Sequence, residues 1–226
     1  MSHIPKLLVT GLGNVSYPGA RNSVGHLLID ELASRTGISL SHGKRGFAGE
    51  GIVTLGQTPI DLTLYKCKFG QLKRVGRPLT AECRERGIRP DMLVVMSDSI
   101  YDNPCQLRHC FGGSAYGHDG VKSVIRALGT SDFYRLRLGV GRGVHPSMVL
   151  YKFLLYEHIS GQLPPEERQF WNGDGGGLVC NAIEKIARAV IYKIEEGVIE
   201  EKYARDAIEI EMMAQEEDIL PQEVKD

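Results

Sequence analysis

A short apolar run at residues 6–12 leads directly into TGLGNVSYPGARNSVGH (residues 10–26) and then into an amphipathic stretch at 24–36. Strand, glycine-rich turn and helix within about thirty residues commit the start of the chain to a layered arrangement, since helices alternating with strands build an α/β sheet. The pattern recurs. Further strand-like runs fall at 51–55, 60–65, 92–96, 106–111 and 135–140, with amphipathic stretches at 79–87 and 120–128. GQTP (56–59) joins two of the runs as a hairpin turn would, so the sheet is predicted to be mixed. Beyond it the chain reads as largely helical. Apolar residues recur at helical spacing over 178–194, a second helix is expected from about 200 to 217, and NGDGGG (172–177) is the expected flexible loop. The predicted fold class is α/β: one domain over residues 1–196 with a mixed central sheet flanked by helices, then an acidic helical extension at 197–226.

With 226 residues, 42% of them hydrophobic, the chain can build one well-buried core. Its five cysteines, Cys67, Cys83, Cys105, Cys110 and Cys180, are odd in number and lack paired C-x-x-C spacing, which argues against a disulfide framework or a zinc ribbon and for a reducing compartment. Cys105, His109 and Cys110 lie close in sequence, but on an alternating strand they would not converge. No metal is expected there. No apolar run approaches the ~20 residues of a membrane span, and the first strand begins too near Met1 to leave room for a cleavable presequence.

The net charge of −1 conceals two unlike regions: residues 1–150 hold 19 Lys and Arg against 11 Asp and Glu, and residues 151–226 hold 8 against 17. Lys66, Lys68, Lys73, Arg74 and Arg77, followed by Arg84, Arg86 and Arg89, concentrate cations suited to polyphosphate. The acidic stretch at 195–226 reads as the solvated face of a terminal helix or tail, or as a surface toward protein.

The opening loop is not a dinucleotide fingerprint. Gly11 and Gly13 fit G-x-G-x-x-G, but Ser16 stands where the third glycine belongs, and the acids that should follow, Asp30 and Glu31, fall inside a helix. No nucleotide cofactor is expected.

Read together, four segments resemble the bacterial-type peptidyl-tRNA hydrolase family over roughly residues 5–200. GLGN followed by PG, R and VG resembles its G-L-G-N-P-G … T-R-H-N-x-G opening. MLVVMSD is similar to its apolar strand ending in aspartate, GGSAYGHDGVKSV to G-G-S-x-x-G-H-N-G-L-K-S-I, and FYRLRLGVGR to F-x-R-L-R-I-G-I-G. The resemblance implies a single α/β domain and a cleft for the 3′ end of a peptidyl-tRNA. It also implies a mechanism in which an aspartate-polarised histidine activates water against the ester, while asparagines hold the peptide backbone and the terminal nucleotide.

Position by position, Asn14 and Asp98 match the family's asparagine and orienting aspartate. The histidine should follow Arg21, but that residue is Asn22. An amide accepts no proton at neutral pH, so a general-base contribution of about 10²–10⁴-fold is absent by residue type. Gln71 or, with a shifted gap, Arg74 stands in place of another family asparagine. Asp119 replaces the asparagine after His118, which places an anion toward the substrate's phosphates, and Tyr101 and Cys105 replace an aspartate and a glycine. His26, four residues after Asn22, would share a helix face with it but sit about 6 Å along the axis, too far to replace the base. His118 is expected to be structural or to contact tRNA. Asp98 is expected either to bond Asn22 or to have no partner in the site.

The sequence and the resemblance thus favour a peptidyl-tRNA hydrolase-like protein without turnover, acting as an RNA-binding (tRNA or rRNA) or ribosome-associated component, with ribosomal proteins as candidate partners. The alternative is a hydrolase with altered catalytic groups or one deliberate substitution. No cofactor is called for. A mitochondrial matrix or cytoplasmic location fits either reading.

Overall fold

Leu7 and Val9 pack on one side of the central sheet and Leu8 on the other, as the two-residue period of a strand requires. Val94 and Met96 repeat the first assignment and Leu93 and Val95 the second, so the two middle strands are buried on both faces. The computed structural model describes residues 4–68, 71–142 and 160–195. Its strands are β1 (Lys6–Gly11), β2 (Ser41–His42), β3 (Gly46–Leu55), β4 (Thr58–Cys67), β5 (Leu93–Ser99), β6 (Leu107–Phe111) and β7 (Tyr134–Gly139). They form one seven-stranded sheet in the order β2-β3-β4-β1-β5-β7-β6. β1 runs parallel to β4 and β5, and β5 parallel to β7. The pairs β2–β3, β3–β4 and β6–β7 are antiparallel, which makes the sheet mixed, as predicted.

Helices cover both faces. α1 (Val24–Thr36) and α5 (Asp174–Glu195), with α4 (Pro165–Trp171), close one core around Leu28, Ile29, Ile183, Ile186 and the fully buried Trp171. α2 (Gly76–Glu85) and α3 (Asp119–Leu128) close the other around Leu79, Val121, Val124 and Phe133. α2 and α3 approach closely: a Cβ on Gly76 would lie 2.0 Å from the Ser123 carbonyl oxygen. The Ser123 hydroxyl fastens the contact, accepting from Gly76 N–H at 3.0 Å and donating to the Lys73 carbonyl at 2.8 Å.

The expected elements are present with shifted ends. Strands expected at 51–55 and 60–65 extend to ten residues each, joined through Gly56 at φ 56°, and the strand expected at 92–96 continues through Asp98 to Ser99. The flexible loop expected at 172–177 is a correction: from Asp174 onward it is the first turn of α5. The glycines there serve close packing. A Cβ on Gly175 would lie 2.6 Å from the Trp171 ring and one on Gly176 2.9 Å from the Arg35 and Glu31 side chains, while Arg35 donates to the Gly173 carbonyl at 2.6 Å. The helix expected at 200–217, and with it the acidic extension, lies outside the described residues. None of the five cysteines forms a disulfide among the described residues. Among the described residues no helix is long and apolar enough to cross a membrane.

Candidate active site

The strand order reverses direction at β1: the chain builds β4, β3 and β2 on one side of it and β5, β7 and β6 on the other. Open α/β sheets bind ligands at the carboxyl ends of the strands beside such a switch. A cavity of about 690 Å³ lies there, lined by Asn14, Asn22, Gln71, Lys73, Asp98, His118 and Asp119 together with Ser97, Ser99, Tyr101, Tyr116, Arg135 and Arg137. The residues that the sequence placed in a catalytic or substrate-binding role thus gather in one cleft.

Local hydrogen bonding sets the near wall. β1 is tied at its end to β5 by Leu12 N–H donating to the Met96 carbonyl at 2.8 Å. The chain then folds into α1 against its own loop: a Cβ on Gly25 would stand 2.5 Å from the Leu12 carbonyl oxygen, so this crossing admits only glycine without a shift. Buried Ser23 accepts from Asn14 N–H at 2.9 Å and returns a bond to the Asn14 carbonyl at 3.3 Å. The Asn14 side-chain oxygen accepts from Ser16 N–H at 3.0 Å, which leaves its NH₂ to donate to a ligand. Asn22 sits in the short 3₁₀ turn Arg21–Ser23. That turn is pinned from outside: Arg21 N–H donates to the Gly161 carbonyl at 2.9 Å and its guanidinium to the Gln162 carbonyl at 2.9 Å.

Asp98, 6% exposed, lies near the end of β5. Its partner is His118, whose Nε2 lies 2.9 Å from Asp98 Oδ1, and no bond to Asn22 is formed among the described residues. This corrects both expectations for Asp98, that it would bond Asn22 and that it would have no partner in the site. His118 is also the N-cap of α3: its Nδ1 accepts from Gly120 N–H at 3.1 Å and Val121 N–H at 3.2 Å. With Nδ1 accepting, Nε2 carries the proton donated to Asp98. Burial opposes a charge on this ring, but Asp98, its hydrogen bond and Asp119 outweigh burial and push the pKa up. In neither protonation state is a ring lone pair open to the cleft. His118 therefore orients and does not take a proton from water.

His26 is 3% exposed and is not among the lining residues; a Cβ on Gly13 would lie 2.6 Å from its ring, so the imidazole is stacked under the opening loop. Burial, reinforced by Lys66, lowers its pKa from 6.5 to about 3. His26 is thus packed inside the fold and, as expected, does not replace the base at position 22.

The basic cluster is divided by its surroundings. Lys66 is paired with Asp30 beside the Phe47 ring, Arg86 with Glu50 and Glu82, and Arg89 with Asp91. Arg74 and Arg77 are exposed and form no ion pair among the described residues. Lys68 is half-buried. Lys73 lies 3.6 Å from Asp119, which Lys122 also approaches at 3.7 Å, so the anion expected to face substrate phosphates is offset by two cations.

Arg135 and Arg137 are functional candidates that the sequence reading passed over. Arg135 is 2% exposed, and Arg137 bonds the buried Asp102 at 2.7 Å. Their signal was the alternation in YRLRL: two arginines on one face of an otherwise apolar strand. His109 and Cys110 stand in succession on β6 and, by the strand period, on opposite faces.

Comparison with known proteins agrees with this geometry. The family described as peptidyl-tRNA hydrolase matches residues 8–204. A peptidyl-tRNA hydrolase of Symbiobacterium thermophilum is 37% identical over 195 residues, covering 85% of this chain and 94% of that one. A probable peptidyl-tRNA hydrolase of Mus musculus is 33% identical over 166 residues, 72% of this chain and 76% of its own. The crystal structure of the Acinetobacter baumannii peptidyl-tRNA hydrolase shares the fold with a TM-score of 0.63 at 23% identity, over 91% of this chain and 96% of that one.

Proposed function

The chain belongs to the peptidyl-tRNA hydrolase family, and from that premise we propose that its cleft takes the 3′ end of a peptidyl-tRNA and hydrolyses the ester joining peptide to ribose, with Asp98 as the proton acceptor. The observation that carries this is the state of Asp98. Its carboxylate lines the cleft, is oriented through Oδ1 by His118, and has no hydrogen-bond partner on Oδ2 among the described residues. Water attacks the ester carbonyl carbon while its proton passes to that oxygen. The tetrahedral intermediate then collapses, the bond from carbon to the ribose oxygen breaks, and the proton is delivered to the ribose. The Asn14 NH₂ is available to the developing oxyanion or a peptide carbonyl, and Asn22 can hold the water without taking its proton. A carboxylate accepts a proton less readily than an imidazole, so turnover is slow beside that of a histidine-bearing relative.

Binding without turnover is the second reading, favoured by one observation. Among the described residues the one histidine lining the cleft has both ring nitrogens committed, and residue 22 is an amide. The protein would then hold tRNA or rRNA, alone or beside ribosomal proteins.

Hydrolysis of an N-blocked aminoacyl-tRNA by the protein, Asp98→Asn and Asn22→His separates the two. The hydrolase reading expects slow release, lost in Asp98→Asn and raised in Asn22→His. Tight tRNA binding with no release by the parent selects the binding reading. Release that survives Asp98→Asn removes Asp98 from the mechanism.

A further inference from the structure

Two tyrosines stand at the mouth of the cleft, each 52% exposed, where apolar rings are expected to be covered. Tyr101 lies three residues beyond Asp98 and Tyr116 two residues before His118, so both flank the reacting centre. Their ring centroids are 6.3 Å apart with planes inclined at 54°. Each ring is backed by a guanidinium: Arg137 lies 4.7 Å from the Tyr116 centroid and Arg142 4.5 Å from that of Tyr101. Arg137 is itself held by Asp102, 4% exposed, so the Tyr116 ring rests on a fixed support.

Tyr116 also has φ 45°, a left-handed conformation that is costly for a bulky residue, beside glycines at 113 and 117 that adopt positive φ without penalty. Strain of this kind persists where the surrounding structure imposes it, and it points to use of the side chain.

We propose that Tyr101 and Tyr116 form a stacking site for the terminal nucleobase of the RNA 3′ end. The inference rests on the reading that the cleft takes such an end. Aromatic faces bind bases irrespective of sequence, and a guanidinium behind the ring adds a cation–π contribution. The terminal base is the one concerned because it is carried by the same ribose as the ester, and the pair stands beside Asp98 and His118.

The test is a double-mutant cycle on binding alone, with an uncharged acceptor-stem hairpin bearing a single-stranded CCA end, intact or with the last base replaced by an abasic ribose. Removing the base should weaken binding by about 5- to 150-fold, the range of one base–aromatic stack. Tyr116→Ala and Tyr101→Ala should each weaken binding of the intact hairpin within that range, and the double substitution should abolish sensitivity to the missing base. Tyr→Phe at either position should preserve both. Tyr116→Gly should raise the melting temperature while weakening RNA binding, since it releases backbone strain.

Equal sensitivity to the missing base in the parent and the double variant overturns the stack, as does insensitivity in the parent. A fall in melting temperature in Tyr116→Gly overturns it by making the ring a packing element. Binding of the hairpin with none of these effects leaves the acceptor-end reading standing and removes only the stack. No binding of the hairpin at all removes both.

Discussion

Ser23 and Asn14, nine residues apart, are joined twice: the hydroxyl of Ser23 receives the Asn14 N–H at 2.9 Å and donates to the Asn14 carbonyl at 3.3 Å. One buried side chain therefore closes the loop that carries both asparagines of the near wall. In Ser23→Ala the Asn14 N–H loses its acceptor, so unfolding stability should fall by about 1–3 kcal/mol in urea denaturation. RNA affinity should fall further than stability predicts, because the Asn14 NH₂ is no longer aimed. A variant with unchanged stability and unchanged affinity would show that the loop is held by other contacts.

Acid should weaken the fold through His26. Its pKa is 6.5 unfolded and about 3 folded, so between those values the unfolded chain binds the extra proton and stability declines as pH falls. The stabilisation is complete above pH 6.5 and amounts to a loss of about 2 kcal/mol by pH 5, at 1.36 kcal/mol per pH unit. His26→Asn should flatten that part of the pH profile while lowering stability at neutral pH. The same slope in parent and variant would assign acid sensitivity to other groups.

Salt should distinguish the cations that meet RNA from those already neutralised. Arg74→Ala and Arg77→Ala should each reduce the slope of log affinity against log salt by about 0.7–0.9, the value of one phosphate contact. Lys66→Ala should leave the slope unchanged, because its ammonium is held by Asp30. A slope reduced by the Lys66 change alone would reverse this assignment.

The glycine tract at the start of α5 yields the opposite expectation from a mobile loop. At Gly177 an added Cβ meets, among the described residues, only an Arg35 nitrogen at 4.0 Å, so Gly177→Ala should stabilise the protein by about 0.5–1 kcal/mol through helix propensity. Thermal denaturation reads this directly, and a loss of stability would contradict the helical assignment of the tract.

Much of this arrangement was legible from local pattern. α1 was expected over the same thirteen residues it occupies, because its apolar period ends at Gly37, which adopts φ 71° and stops the helix. Asn14, Asn22, Asp98 and His118 were expected in one cleft through the resemblance of their motifs to the family, and each motif sits at a strand end or helix start. What escaped the reading was set by contacts between distant segments. The pairing of Asp98 with His118 joins β5 to α3, and the pairing of Lys66 with Asp30 joins β4 to α1; neither has a period to betray it. The first turn of α5 was misread because glycine signals flexibility in sequence, whereas here it admits the side chains of α1 and α4. Arg135 and Arg137 were hidden by the apolar company they keep on β7.

The bond between His118 and Asp98 also bears on how such a site changes over time. A buried carboxylate that loses its partner costs a fold about 1–3 kcal/mol or more, and such a loss exposes a mutant to selection at once. Here the partner of Asp98 is supplied by α3, so residue 22 can alternate between imidazole and amide without stranding the charge. Selection for folding consequently holds the Asp98–His118 pair in place and leaves residue 22 to selection for chemistry alone. A lineage with this architecture can surrender the imidazole at position 22, or regain it, by a path along which every intermediate still folds.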